Sequence, residues 1–133
     1  MKKVYLVFAL VLALVCTGGI LLQTVNANGV YISGNFYGEY FYDNGSSSKF
    51  KGIIYQDGSK IWGECVDQNG SESTLSGNVN GHSVNFIKTY NNDNHQVQYT
   101  GRLIPETNTV NGHWRIDQNN IGSFTMTIRG NHM

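Results

Sequence analysis

From residue 28 onwards, apolar and polar positions alternate with a period of two, in stretches that Asp, Asn and Gly separate. The separators recur roughly every 8 to 12 residues, which is typical of all-β sandwiches and barrels. The apolar spacing of a helix is absent from this part of the sequence. The pattern predicts eight strands, over residues 29–42, 49–56, 59–66, 71–79, 82–90, 95–103, 109–116 and 121–129.

Two of the predicted turns indicate how their strands pair. Residues 57–58 are Asp-Gly and residues 80–81 are Asn-Gly, the dipeptides that favour type I′ hairpin turns because both central positions need a positive φ. The first turn predicts that Ile54 lies opposite Ile61 on the inner face of the sheet. Strands joined by such short turns are antiparallel neighbours.

The turn after the third predicted strand decides whether Glu64 is buried. A four-residue loop would place Glu64 inside, opposite Ser73. A three-residue loop at residues 68–70, with Gly70 at the left-handed bulge position, instead turns Cys65 inward and Glu64 to solvent. We expect the three-residue loop, because it keeps the inner face apolar.

Eight antiparallel strands in series expose two edges unless the first strand pairs with the last. Closure of the sheet predicts an eight-stranded antiparallel up-and-down β-barrel. Glycines stand on the predicted inner face at positions 52, 63, 77, 101 and 112. They either allow the sharp coiling of a small barrel or leave room for a cavity, and coiling is the simpler explanation.

The hairpin of residues 84–103 carries polar side chains on its inner face, close to the turn at 91–94. This position predicts that they lie at one mouth of the barrel, inward yet within reach of water. Barrel mouths are common ligand sites, with apolar walls and a few convergent polar groups. The candidate ligand-binding residues are Phe86, Lys88, Tyr90, His95, Tyr99 and Trp114.

The polar residues of this hairpin also have a structural explanation. Lys88 can lay its aliphatic stem along the core and carry its charge to water. Tyr90 and His95 then form a cross-strand pair. Both explanations stay open from the sequence.

The start of the chain resembles a secretory signal. Two lysines follow Met1, an apolar run covers residues 4–22, and a small-residue cleavage pattern ends at Ala27. We expect residues 1–27 to be a signal peptide and residues 28–133 to be a single secreted or periplasmic barrel domain. An uncleaved membrane anchor is the alternative, because the apolar run is long enough to span a bilayer.

Charge and cysteine content exclude several classes of function. Residues 28–133 carry seven Lys or Arg and nine Asp or Glu, without a basic patch. This balance argues against nucleic-acid binding and against membrane-surface binding after signal cleavage. Cys65 is the single cysteine of this part, which excludes an internal disulfide. The scattered histidines lack metal-ligand spacing, and the sequence indicates no cofactor.

An enzyme needs a nucleophile and a base in contact. The predicted registers place Ser73 opposite Lys88, and they leave two strands between Cys65 and His95. Neither pair is accompanied by an oxyanion-hole or nucleophile-turn motif. We therefore do not expect an enzyme.

Aromatic residues crowd both faces of the first predicted strand, within residues 30–45. A barrel buries one face of a strand, so outward side chains such as Tyr37 and Phe41 favour contact with another protein. The sequence thus predicts an exported barrel that holds a small apolar or aromatic ligand at one mouth. The alternative is a protein-interaction or inhibitor module that acts on a secreted partner.

Several frames of the sequence resemble a widespread small secreted β-barrel module of unassigned function. They are I-x-G-x3-D-x2-G from Ile61, V-x-F-x-K-x-Y from Val84, H-x-V-x-Y-x-G from His95 and V-x-G-x-W-x-I from Val110. The resemblance covers about residues 50–128 and implies a fold rather than an activity. The architecture also resembles the avidin and lipocalin barrels, which implies an interior ligand site at one mouth. The tryptophan set of a biotin site has no counterpart in this sequence.

Overall fold

The computed structural model describes residues 30–129. The predicted signal peptide or anchor, residues 1–27, lies outside the described residues. Residues 30–129 contain no helix long and apolar enough to cross a bilayer. Within that range the chain forms eight strands: β1 (Gly34–Phe41), β2 (Ser47–Asp57), β3 (Lys60–Asp67), β4 (Glu72–Asn80), β5 (Ser83–Tyr90), β6 (Gln96–Ile104), β7 (Thr109–Arg115) and β8 (Ile121–Ile128).

The strands form a closed antiparallel barrel in chain order. Each strand pairs with the next, and β1 pairs with β8, so that Phe36 lies opposite Ile128. This pairing removes both sheet edges. The predicted all-β, eight-stranded up-and-down barrel is therefore confirmed.

The first strand is shorter than the pattern predicts, because it begins at Gly34 rather than at residue 29. Gly34 has a φ of 128°, a conformation that favours glycine and interrupts the strand. The preceding Val30 and Ile32 are buried. The side chain of Gln56 accepts a hydrogen bond from the backbone N–H of Ile32 at 2.7 Å, which ties this segment to β2.

The interior is filled by alternate residues of all eight strands in the described range. Side chains such as Ile54, Val84 and Met126 are almost completely buried, while their sequence neighbours point outward. The buried aromatic residues of this core are Phe36, Phe50, Phe86, Tyr99, Trp114 and Phe124. Packing therefore follows the predicted period of two. One exception is Ile116, which the pattern predicts to be inward: β7 ends at Arg115, and Ile116 is 43 % exposed.

The two short hairpins differ from the predicted registers by two residues. Asp57 pairs with Lys60, so the turn is Gly58-Ser59 and Ile54 lies opposite Gly63 instead of Ile61. A positive φ occurs at Gly58, the first central position, as a type II′ turn requires. The same holds for the hairpin at Gly81. A shift of two residues keeps every side chain on its predicted face.

The three-residue loop after β3 is confirmed. Cys65 lies opposite Ser73, which turns Glu64 outward. Gly70 has a φ of 92°, and its N–H donates to the carbonyl oxygen of Asp67 at 2.8 Å. The left-handed conformation at Gly70 closes the loop as the bulge geometry requires.

The inner-face glycines bring neighbouring strands into close contact. A Cβ atom on Gly77 would lie 1.9 Å from the backbone oxygen of Asn85, and one on Gly52 would lie 1.9 Å from that of Glu64. Such distances are far below contact distance, so the strands approach each other there because no side chain separates them. This observation supports coiling of the strands as the reason for the glycines.

Candidate functional site

The turns after β1, β3, β5 and β7 meet at one end of the barrel, which we call the mouth. A cavity of about 260 Å³ opens there, and we call it the mouth cavity. Its walls are mainly aromatic, and Tyr42 packs edge-to-face on Trp114 with ring centroids 5.6 Å apart. Its lining consists of Tyr40, Tyr42, Asp67, Asn69, Ser71, Tyr90, His95, Val97, Tyr99, Trp114 and Ile116.

A buried ion pair stands at the base of the mouth cavity. Lys88 Nζ lies 2.5 Å from Asp67 Oδ1, and the Lys88 side chain is 0 % exposed. The second carboxylate oxygen, Oδ2, accepts hydrogen bonds from the hydroxyls of Tyr90 at 2.5 Å and Tyr40 at 3.1 Å. We call Asp67, Lys88, Tyr40 and Tyr90 the Asp67 cluster. Its two formal charges cancel, and both carboxylate oxygens have donors.

Aromatic rings surround the Lys88 ammonium group. Its Nζ lies 5.0 Å from the ring centroid of Tyr90 and 5.1 Å from those of Tyr40 and Phe50. Ring faces attract a cation, and the attraction grows when both are shielded from water. Lys88 is therefore part of the core. The expectation that it carries its charge to water at the mouth is wrong, because Asp67 holds it inside.

The other predicted site residues lie at two depths in the barrel. The structure brings Tyr90, His95, Tyr99 and Trp114 together around the mouth cavity. Phe86 lies deeper, where its ring stacks on that of Tyr99 with centroids 4.8 Å apart and an interplanar angle of 9°. His95 is exposed and stacks on Tyr90, as the cross-strand pairing predicts. The role of these residues in binding stays a prediction.

Sequence reasoning missed Asp67, Tyr40 and Tyr42 as site residues. The pattern places Asp67 in a turn, whereas β3 ends at Asp67 and its side chain is buried. The period-two pattern does indicate an inward Asp67. With a three-residue loop, the inward positions that include Cys65 continue to residue 67. An aspartate at a turn is ordinarily a turn residue, which hides this one.

Tyr90 and Tyr99 are held as neutral phenols. Burial raises the pKa of Tyr90, and its hydrogen bond to the carboxylate of Asp67 raises it further. Burial and the nearby charge of Asp67 likewise raise the pKa of Tyr99. Both hydroxyls therefore keep their protons at neutral pH and act as hydrogen-bonding groups.

The strand registers of the structure do not form the Ser73–Lys88 pair that the sequence predicts. Ser73 lies opposite Tyr90 rather than Lys88, because the β4–β5 turn is shifted. Burial raises the pKa of the Cys65 thiol to about 11, so it stays protonated at neutral pH. A nucleophilic cysteine needs the opposite shift.

The free energy of unfolding is expected to fall as the pH rises from about 9 to about 11. Cys65 has an ordinary pKa of 9.0 and a folded value of about 11, so within this window the unfolded chain loses a proton that the folded chain keeps. The loss is at most about 1.4 kcal/mol per pH unit for this group. Urea denaturation at a series of pH values measures it. Cys65→Ala should have a shallower slope, and equal slopes for both proteins would contradict the assignment.

A larger depression, of about 670 Å³, lies across β1, β2, β3 and β4. Its lining includes the exposed charged residues Lys51, Glu64 and Glu72. The mouth cavity differs from it in its aromatic walls and in the buried ion pair at its base. Mostly apolar walls with a few convergent polar groups are typical of ligand sites. We therefore place the candidate site at the mouth. Among residues 30–129, acidic, histidine and cysteine side chains form no group that could hold a metal ion.

No protein-family model matches this chain, and no curated protein matches it.

Proposed function

We propose that this protein is an exported binding protein that holds a small, mainly aromatic ligand in the mouth cavity. The observation that carries the proposal is the cavity of about 260 Å³ with aromatic walls at the mouth of a closed barrel. Small barrels fill their interiors with side chains or hold one small ligand. Here side chains fill the lower interior, and the mouth is left for a ligand.

The size of the cavity limits the ligand. An apolar cavity of about 150 Å³ is large enough to bind benzene. The mouth cavity, at about 260 Å³, therefore has room for one aromatic ring with a short substituent. Tyr42 and Trp114, which meet edge-to-face, provide ring faces for stacking or edge contacts.

The Asp67 cluster gives the site a rigid base. Asp67, on β3, joins residues of two other strands, through Lys88 and Tyr90 on β5 and Tyr40 on β1. Wall side chains that are fixed before binding lose less conformational entropy when a ligand arrives. The cluster thus supports affinity without supplying a net charge.

The remaining parts of the proposal are the class of barrel and the location. The signal-like residues 1–27 support export, and the barrel topology with a site at one mouth supports an avidin-like or lipocalin-like mode of binding.

The second candidate function is a protein-interaction or inhibitor module. It is favoured by Tyr55 and Trp62, which stack on the outer wall with centroids 5.9 Å apart while 41 % and 43 % exposed. Tyr and Trp residues are enriched in protein interfaces relative to the rest of the surface. Tyr37, the outward aromatic residue expected to make such a contact, is 47 % exposed, and the guanidinium carbon of Arg129 lies 4.9 Å from its ring centroid.

Native mass spectrometry of the protein purified from its own host tests the proposal. We expect a reproducible added mass that disappears on unfolding. Tyr42→Ala should lower the occupied fraction at least about tenfold, because it removes a wall of the cavity. Trp62→Ala is the matched control, since both side chains are 43 % exposed and Trp62 lies on the outer wall.

The same measurement separates the two functions. A protein without added mass would contradict a tightly held ligand. Loss of a co-purifying protein in Trp62→Ala, with Tyr42→Ala unchanged, would favour the interaction module instead.

A further inference from the structure

Tyr99 has a buried hydroxyl without a hydrogen-bond partner among residues 30–129. The side chain is 2 % exposed and lines the mouth cavity. Asp67, Tyr40 and Tyr42, whose charges or hydroxyls act on the Tyr99 hydroxyl, line the same cavity. A buried phenol O–H normally has a partner, and an unpaired one is costly. This hydroxyl therefore calls for a hydrogen-bond partner that enters the cavity.

The half-buried hydroxyls of Tyr40 and Tyr90 and the buried indole N–H of Trp114 already donate to protein groups. The hydroxyls of Tyr40 and Tyr90 donate to Asp67, so towards the cavity their oxygens can only accept. The indole N–H of Trp114 donates to the backbone oxygen of Phe41 at 3.1 Å. The cavity thus offers a free O–H donor beside phenol oxygens that only accept.

Charge narrows the ligand class further. Asp67 and Lys88 neutralise each other at 2.5 Å. A carboxylate ligand would bring only acceptors to the phenol oxygens and would place its charge near Asp67. An ammonium ligand would bring only donors and would leave the proton of the Tyr99 hydroxyl unpaired. A hydroxyl or a primary carboxamide both donates and accepts.

We infer that the mouth cavity takes a neutral one-ring aromatic compound whose hydroxyl or carboxamide group accepts a hydrogen bond from Tyr99 and donates one to Tyr40 or Tyr90. The inference rests on the proposed function and specifies its ligand. The aromatic walls hold the ring, and the polar group reaches the base of the cavity.

The test is a titration followed by the indole N–H signals in a proton–nitrogen NMR spectrum. The sequence has two tryptophans. Trp114 lines the cavity and reports its occupancy, while Trp62 on the outer wall serves as the reference. The probes are phenol, toluene, benzoate and benzylamine, which share one ring and differ in polar group and charge.

We expect phenol to move the Trp114 signal and to bind about tenfold more tightly than toluene, because toluene leaves the Tyr99 hydroxyl unpaired. Benzoate and benzylamine should bind more weakly than phenol. Tyr99→Phe should reduce the preference for phenol over toluene severalfold while toluene binds as before, because the bond that the ligand donates to Tyr40 or Tyr90 remains. Tyr55→Phe, on the outer wall, is the control and should keep the preference.

The possible results separate a failure of the proposed function from a failure of the inference about Tyr99. If none of the probes moves the Trp114 signal, the proposed function fails together with the inference. If toluene binds as tightly as phenol, or Tyr99→Phe keeps the preference, the cavity binds aromatic compounds but the inference about Tyr99 is overturned. Tighter binding of benzoate or benzylamine would overturn the neutral ligand class.

Discussion

Asp67→Ala is expected to lower the free energy of unfolding by about 3 to 5 kcal/mol, the usual cost of removing one partner of a buried ion pair. The substitution leaves the ammonium group of Lys88, which is 0 % exposed, without its counter-charge. It also removes the acceptor of two tyrosine hydroxyls, those of Tyr40 and Tyr90. Urea denaturation at neutral pH measures the change.

The double variant Asp67→Asn/Lys88→Met is the control for this prediction. It removes both charges but keeps an oxygen that can accept from the tyrosine hydroxyls, so it should be more stable than Asp67→Ala. If Asp67→Ala cost less than about 1 kcal/mol, the range of an exposed pair, the pair would not be a stabilising part of the core.

Gly77→Ala should lower the free energy of unfolding by about 3 kcal/mol or more, at the upper end of the usual cost of overpacking. The new Cβ would meet the backbone oxygen of Asn85 at 1.9 Å and the Cα atom of Phe86 at 2.5 Å. Both are backbone atoms, so no side-chain rotation relieves the contact, and β4 and β5 would have to separate. Urea denaturation, with circular dichroism as the signal, measures the loss.

Ser76→Ala provides the comparison within the same strand. Ser76 is exposed on the outer wall, and its substitution should change the free energy of unfolding by less than about 0.5 kcal/mol. Equal stability of Gly77→Ala and Ser76→Ala would mean that β4 and β5 can separate at little cost.

The barrel could be predicted because its information is local. Alternation and turn residues give the strands, and pairing of the first strand with the last removes the two edges that eight antiparallel strands in series would expose. The registers at Gly58 and Gly81 could not be predicted. Glycine suits the second central position of a type I′ turn, after Asp or Asn, and also the first central position of a type II′ turn. That choice depends on the backbone of both strands and is not encoded in the dipeptide alone.

The position of the candidate site at the mouth could be predicted from the sequence, but the role of Asp67 in it could not. The alternation of β5 and β6 places Tyr90 and Tyr99 at the mouth without reference to any other strand. The burial of the Lys88 ammonium group depends on its ion pair with Asp67, which lies 21 positions earlier in the chain. An inward lysine ordinarily reaches for water, and only the three-dimensional neighbour explains why this one does not.

The seam between β1 and β8 has a consequence for folding kinetics. Every other strand pair is a hairpin between sequence neighbours, which can form early at a small entropic cost, whereas the seam joins residues 36 and 128. Closure is therefore the slow, late event, and the state before it is an open sheet with two unpaired edges. Aggregation during refolding should compete with this one step, and dilution should favour the closed barrel.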